Sequence, residues 1–277
     1  MYFAGQVNGT SGYEEAAAQG LVAGVNAALA IRGEAPFVMK RSESYIGVLV
    51  DDLETKGGGE PYRMFTSRFD YRLLLREDNA DRRLAGMGRQ LGLLDDRKWA
   101  VFQAKQESIR SVTRQAKESF LYPRDFEGDP ERFQAIDISH VRDRISFFEL
   151  LRRPEWSLGR MRSTGIFSAE LAPEIPAWLA PFVEEAVEVE AKYEGYIKRE
   201  LELLEKVSSH ESRVIPAEFS FLGVSGLSKE VVERLERVRP ATLGQALRIP
   251  GITPAAGALL YVHLEKAGRT SSAVSSL

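Results

Sequence analysis

GQVNGTSGYEEAAAQG, running from Gly5 to Gly20, is the stretch on which the reading of the fold turns. A glycine-rich turn that leads into a helix of small residues usually follows a strand and faces a cofactor, yet only MYFA stands before it. Tyr2 to Ala4 reads as the end of a buried strand, Gly5 to Gly12 as a turn, and Tyr13 to Ile31 as a helix. Ala16, Gly20, Gly24 and Ala28 recur every four positions along that helix. Such a stripe lets a helix backbone press against a sheet or a ligand, and Glu14 and Glu15 suit the positive end of the helix dipole.

Working outward, the 277 residues are 44% hydrophobic and 28% charged, enough for one large or two modest domains with a real core and too apolar for disorder. No apolar run approaches the roughly 20 residues of a membrane helix, and no basic-plus-apolar leader is present, so the expected location is the cytoplasm. The absence of cysteine excludes disulfides, thiolate metal sites and a cysteine nucleophile. His140, His210 and His263 lie far apart with no ligand spacing, which argues against a metal site. The formal net charge of -3 hides a split. Lys56 to Lys117 holds 14 Lys and Arg against 8 Asp and Glu, while Phe182 to Glu205 holds 3 against 8. The basic segment can attract phosphates, or the two can be solvated faces of opposite sign.

SYIGVLVDDL, residues 44–53, looks like a strand, KGGGEPYR a tight connection, and MFTSRFDYRLLLREDNADRRL a segment with Arg68, Arg72 and Arg76 four apart, on one side of either a helix or a strand. From Arg82 the pattern turns helical: helices are expected over Arg82–Leu93, Arg97–Leu121 and Ile138–Arg152, with a loop at YPRDFEGDPERF and irregular chain at GRMRSTGIFSAELAPEIPAW. A long helix from Ala180 to about His210, with Val183, Val187, Ile197, Leu201 and Leu204 on one side, would span roughly 45 Å. The last portion holds two units of glycine turn, hydroxyl cap and apolar helix: Gly226, Ser228 and Val231–Leu235, then Gly251, Thr253 and Ala255–Leu264. They resemble a helix-hairpin-helix arrangement, with Thr253 where the second glycine of the hairpin usually stands; a plain helical bundle fits as well. Ser271 onward reads as a frayed tail.

These features leave two readings open, part of a nucleotide-cofactor enzyme or a helical binding module for nucleic acid or protein. No G-x-G-x-x-G follows a strand, and GMGRQLG, Gly86 to Gly92, has the wrong spacing and lies in a helical pattern.

The strings YFAGQVNGTSGYEEAAAQGLVAGVNAAL, SYIGVLVDDL, EPYRMFTSRFDYRLLLREDNADRRL, KYEGYIKRE, VSGLSKEVVERL and RPATLGQALRIPGITPAA resemble, in order, the C-terminal half of the glucose-inhibited division protein A family, also called MnmG, from Met1 to about Gly268. The resemblance implies an FAD-dependent enzyme that modifies the wobble uridine of tRNA with a GTPase partner, MnmE, using NADH and methylenetetrahydrofolate as co-substrates, and that forms homodimers. It also implies that the flavin domain begins upstream and that Gly5–Gly20 is the segment that returns to close it. By the same resemblance Gln6, Asn8, Gly12, Tyr13 and Glu14 lie at the FAD site, and Arg63, Arg68, Arg72 and Arg76 are candidates for tRNA phosphates, with salt bridges to Asp70, Asp78 or Asp81 as the alternative.

The expected fold is mainly α: a multi-helical C-terminal domain with a short α/β remnant of the FAD-binding domain at the N-terminus. The divisions are 1–35 for that remnant, 36–81 for a linking segment with the basic motifs, 82–210 for a helical domain and 211–277 for a small helical subdomain. The family's functional cysteines and its NADH-binding insertion have no counterpart here. The chain alone is therefore expected to be inactive and not to retain FAD, while binding tRNA and MnmE; the alternative is a non-catalytic protein-docking module without tRNA contact.

Overall fold

Helices dominate the chain because its apolar residues recur at three- and four-residue intervals between hydroxyl and carboxylate caps. The computed structural model describes residues 1–56, 61–69, 71–126, 143–173, 175–211 and 213–274, with the backbone alone at Arg68, 206–211 and 266–274. The expected mainly α architecture is present. Two compact units form, one from Met1–Arg72 with Glu200–Leu277, the other from Leu73–Arg199.

The first unit opens with a 3-10 turn, Gly5–Asn8, and helix α1, Tyr13–Arg32. Tyr2 to Ala4, expected as a strand end, carries no regular element, and the turn after it is paired through a bridge between Thr10 and Tyr62. Residues 44–53, read as a strand, instead belong to helix α2, Tyr45–Lys56. Ser44 caps it, its Oγ accepting from Gly47 N at 2.9 Å. Val48, Asp51, Asp52 and Thr55 are buried at i, i+3, i+4 and i+7, a helical face made partly of carboxylates that apolar counting cannot register. At Gly47 a Cβ would stand 2.2 Å from Lys40 O, so the missing side chain lets α2 lie against the preceding backbone.

The second unit holds α3 (Ala80–Gln90), α4 (Asp96–Glu118), strands β1 (Phe120–Leu121) and β2 (Ile145–Ser146), α5 (Phe147–Leu151) and α6 (Leu158–Ser163). Helix α7, Ala180–Glu211, follows, and the division at Arg199 falls within it. The helix expected from Ile138 to Arg152 is replaced, within its described part, by β2 and the five-residue α5. Ser146 pairs with Phe120 across the strands and then starts α5 through a reciprocal capping box with Glu149, so the helix cannot extend backwards. Ser157 likewise caps α6, which forms inside the stretch expected to be irregular. Val112, Leu150, Leu151, Trp156, Met161 and Val183 build the core. The apolar stripe of α7 is sealed at Val183 and Val187, but Leu201 is exposed.

In the first unit's C-terminal part, α8 (Lys229–Val238), α9 (Leu243–Arg248) and α10 (Pro254–Val274) enclose Phe221, Leu235, Ala246 and Leu260. Ser228, Thr242 and Thr253 cap them in turn. The α9–α10 connection turns at Gly251, φ +89°, as the glycine reading requires, and α10 continues through Ser271 to Val274 where a frayed tail is expected.

Candidate functional site

The turn before α1 is built by polar side chains of the helix itself. Gln19, 5% exposed, accepts from Gly5 N at 3.2 Å and Asn8 Nδ2 at 2.8 Å, and donates to Thr10 Oγ1 at 2.8 Å. Asn8 also donates to Phe3 O, so both of its recorded contacts hold the loop together. Gly12 stands at the N-cap with extended backbone and no side-chain cap, leaving the first amides of α1 open. Gln6, Tyr13 and Glu14 are exposed around it.

Glu15, which in sequence differs in nothing from Glu14 beside it, makes the contacts. Although 5% exposed, its Oε1 accepts from Met64 N at 2.9 Å and lies 3.7 Å from Arg63 Nε. The Met64 amide, against the effect of burial and with help from Arg63, holds its carboxyl below the usual range. Its Oε2 is buried with no hydrogen-bond partner, and a Cβ at Gly12 would fall 1.5 Å from that atom. The small-residue stripe, by contrast, faces outward: Gly20, Gly24 and Ala28 are exposed, and nothing lies within 4 Å of a Cβ built at either glycine. The buried positions of α1 are Glu15, Gln19 and Leu29, because hydrogen bonding rather than close backbone contact joins this helix to its surroundings. A groove of about 440 Å³ runs beside it, with Phe3, Asn8, Gln19, Asn26, Leu53 and Glu54 in its wall.

The same hydrogen bonds tie the arginine segment to the turn. Tyr62 N donates to Gly9 O at 2.7 Å, and Ser11 N to Tyr62 O at 3.2 Å. Beneath it Tyr62 Oη donates to Asp52 at 3.0 Å. Asp52 has no exposed side-chain surface and receives Arg41 at 2.7 Å and Lys56 at 2.8 Å. Burial acts to raise its pKa, but Lys56 and Arg41 outweigh it and the net direction is downward. Asp51 takes Arg41 at 3.1 Å and both nitrogens of a fork from Arg248 at 2.8 Å.

The four candidate arginines do not share one regular face. Arg68 ends a 3-10 turn, Thr66–Arg68, and Arg63, Arg68 and Arg72 belong to the first unit whereas Arg76 belongs to the second. Arg63 is exposed beside Glu15. Arg72 is exposed with no ion pair to a described residue. Arg76 is bound to both oxygens of Asp78 at 2.8 and 3.0 Å and to Leu73 O, the ion-pair arrangement. Asp81 is taken by Lys105 at 2.6 Å, and Asp70 lies outside the described residues. His140 is also outside them, and the described residues hold no group of three His, Cys, Asp or Glu suited to a metal. No helix among them is long and apolar enough to cross a membrane.

An uncapped helix start, a hydrogen-bonded glycine turn and an adjoining arginine segment stand together in a mainly helical protein. Residues 1–35 match the model of Glucose inhibited division protein A, 96–201 that of the tRNA modifying enzyme MnmG/GidA C-terminal helical domain, and 203–276 that of the MnmG/GidA C-terminal helical bundle. Two crystal forms of Aquifex aeolicus GidA are similar at 40% identity over 94% of this chain, with TM-scores of 0.78 for form II and 0.75 for form I. The chain spans 39% and 38% of those chains. It belongs to the tRNA-modifying MnmG/GidA family, and its sequence corresponds to the family's C-terminal helical region.

Proposed function

We propose that this chain serves the flavin-dependent modification of the tRNA wobble uridine by closing one edge of the FAD site and presenting cations to the tRNA, with its helical bundle docking the GTPase partner MnmE. The observation that carries the reading is the attachment of the Tyr62–Met64 segment to the α1 turn through Gly9, Ser11 and Glu15, which makes the arginine segment and the uncapped helix start one assembly.

The residues present fit such an edge. Gly12 carries no side chain of its own at the start of α1, where the Glu15 carboxylate lies against it, and Glu15 Oε2 is a buried acceptor without a donor. When bound, FAD would supply the redox chemistry. The amides of Gly12, Tyr13 and Glu14 would donate to its electron-rich edge, where the helix dipole favours negative charge. Gln6 would line that edge, and Asn8 would set the loop's shape. Glu15 holds Met64 and Arg63 in place, and among the described side chains of the segment Arg63 and Arg72 are exposed cations. One turn and one helix cannot replace adenine and pyrophosphate pockets, so the chain alone should purify colourless and inactive.

A second reading, a protein-docking module without tRNA contact, is favoured by Val214 and Leu222, apolar and 66% and 80% exposed on the C-terminal part. Titration with labelled tRNA and separately with MnmE at two salt concentrations separates the two. Salt-dependent tRNA binding supports the first reading; MnmE binding with no tRNA affinity replaces it with the second.

A further inference from the structure

The second unit carries a cationic cleft that the flavin edge and the arginine segment leave unexplained. Arg110, Arg114 and Lys117 follow one another at spacings of four and three on α4, so they project from one face of the helix. Arg82 of α3 joins them around a cleft of about 280 Å³, with Ile109 and Thr113 in its wall. Glu118 and Glu190 are the carboxylates in the lining, two against four cations. The cations are incompletely neutralised. Arg82 lies 3.4 Å from Glu190, and Lys117 lies 3.5 Å from Glu194 while also resting over the Phe148 ring. Arg110 is held by Glu107 at 2.7 Å, on an exposed pair that water and salt screen. Arg114 is exposed and has no carboxylate within ion-pair distance among the described residues, though it adds to Arg110 in the field that lowers the pKa of Glu107. The hydroxyl of Thr113, which lines the cleft, is buried with no hydrogen-bond partner.

The volume is at the lower limit of sites for drug-sized ligands, which take about 300–1,000 Å³. Arg114, exposed and without an ion pair to a described residue, suits an anion, and guanidinium forks match the oxygens of a phosphate. We infer that this cleft is a phosphate-binding site that takes a phosphodiester of the RNA backbone, held by Arg110 and Arg114 with Arg82 and Lys117 at its sides. The anion site rests on the cleft alone; RNA as the source of the phosphate rests on the tRNA reading proposed above.

Two measurements on the full chain test it. In an NMR titration, inorganic phosphate should shift the Thr113 and Arg114 resonances where chloride at equal ionic strength does not, and Arg114→Glu should abolish the response while Arg114→Lys keeps most of it. In tRNA binding followed against salt, Arg114→Glu should reduce the log–log slope by about 1, with an unchanged melting temperature. No phosphate-specific shift overturns the site. A phosphate shift with an unchanged tRNA slope overturns the RNA assignment and makes a free anion the ligand. A wild-type chain with no tRNA affinity defeats the tRNA reading and the RNA source together, and the phosphate titration still decides the anion site.

Discussion

Trp156 and Asp52 are equally sealed from water, 1% and 0% exposed, in surroundings of different chemistry. Trp156 lies in the second unit among Leu150, Leu151, Met161 and Val183. Asp52 lies in the first among Arg41, Lys56 and Tyr62, with Gln19 and Glu15 organising the neighbouring turn by the same means. The contrast teaches that one chain can specify structure by apolar area in one unit and by donor–acceptor matching in part of the other. The first is tolerant of detail. The second fails as soon as one partner is missing, because the remaining charge stays buried.

The sharpest separation should come from truncating each centre. Trp156→Ala should destabilise the second unit by about 3–5 kcal/mol in urea unfolding, the range for large-to-small aromatic changes in cores. A cost below about 1 kcal/mol would mean that Trp156 is not a core residue. Asp52→Ala should cost about 3 kcal/mol, the lower end for a broken buried pair, since Lys56 keeps 33% of its side-chain surface in water. Changing Arg41→Met in the same molecule should recover part of that loss. Full additivity of the two changes would dissolve the polar side of the comparison.

The two centres should also differ in acid. Asp52 is held below its ordinary pKa of 3.8, so its contribution is complete above that value and is lost as pH falls through the lower native-state one. The wild-type chain should therefore lose stability below about pH 4, and Asp52→Asn should flatten that slope, whereas Trp156→Ala should leave the slope as it is. Thermal melts across pH 2–6 (about the carboxylate range) give the answer.

Smaller effects concern α1 and the arginines. Gly20→Ala should stabilise by about 0.5–1 kcal/mol, as expected for an exposed helical glycine with open space at its Cβ. A loss instead would restore the close-packed stripe. Arg72→Glu should change stability by less than about 0.5 kcal/mol while lowering the salt slope of tRNA binding by about 1. Arg76→Glu is the poorer probe, since it would also release Asp78 and Leu73 O.

What the sequence made legible follows the same division. Helices α1, α7, α8 and α10 are readable because their signals are local caps and apolar repeats. The α2 helix was hidden because Asp51 and Asp52 look like surface residues until Arg41 and Arg248 are seen beside them. Ser44 was the available signal, a cap three residues before Gly47. The stripe on α1 lies exposed, since small residues at a four-residue interval mark a face without saying what covers it. Of the candidate site, Gly12, Asn8 and Arg63 stand where a glycine turn and its neighbours can meet, but Glu15 was indistinguishable from Glu14 in a first turn where either suits the dipole.

The fork between Arg248 and Asp51 joins residues 197 positions apart. A ribosome adding about 5–20 residues per second needs roughly 10–40 s between these two points. Throughout that interval Asp51 has emerged with Arg41 but without the fork from Arg248, and α2 cannot complete its buried face. The first unit is thus a late-closing structure, and the second, contiguous from Leu73 to Arg199, has every contact of its core in hand before Arg248 is made. The order in which the chain leaves the ribosome is the reverse of the order in which its two units can be finished.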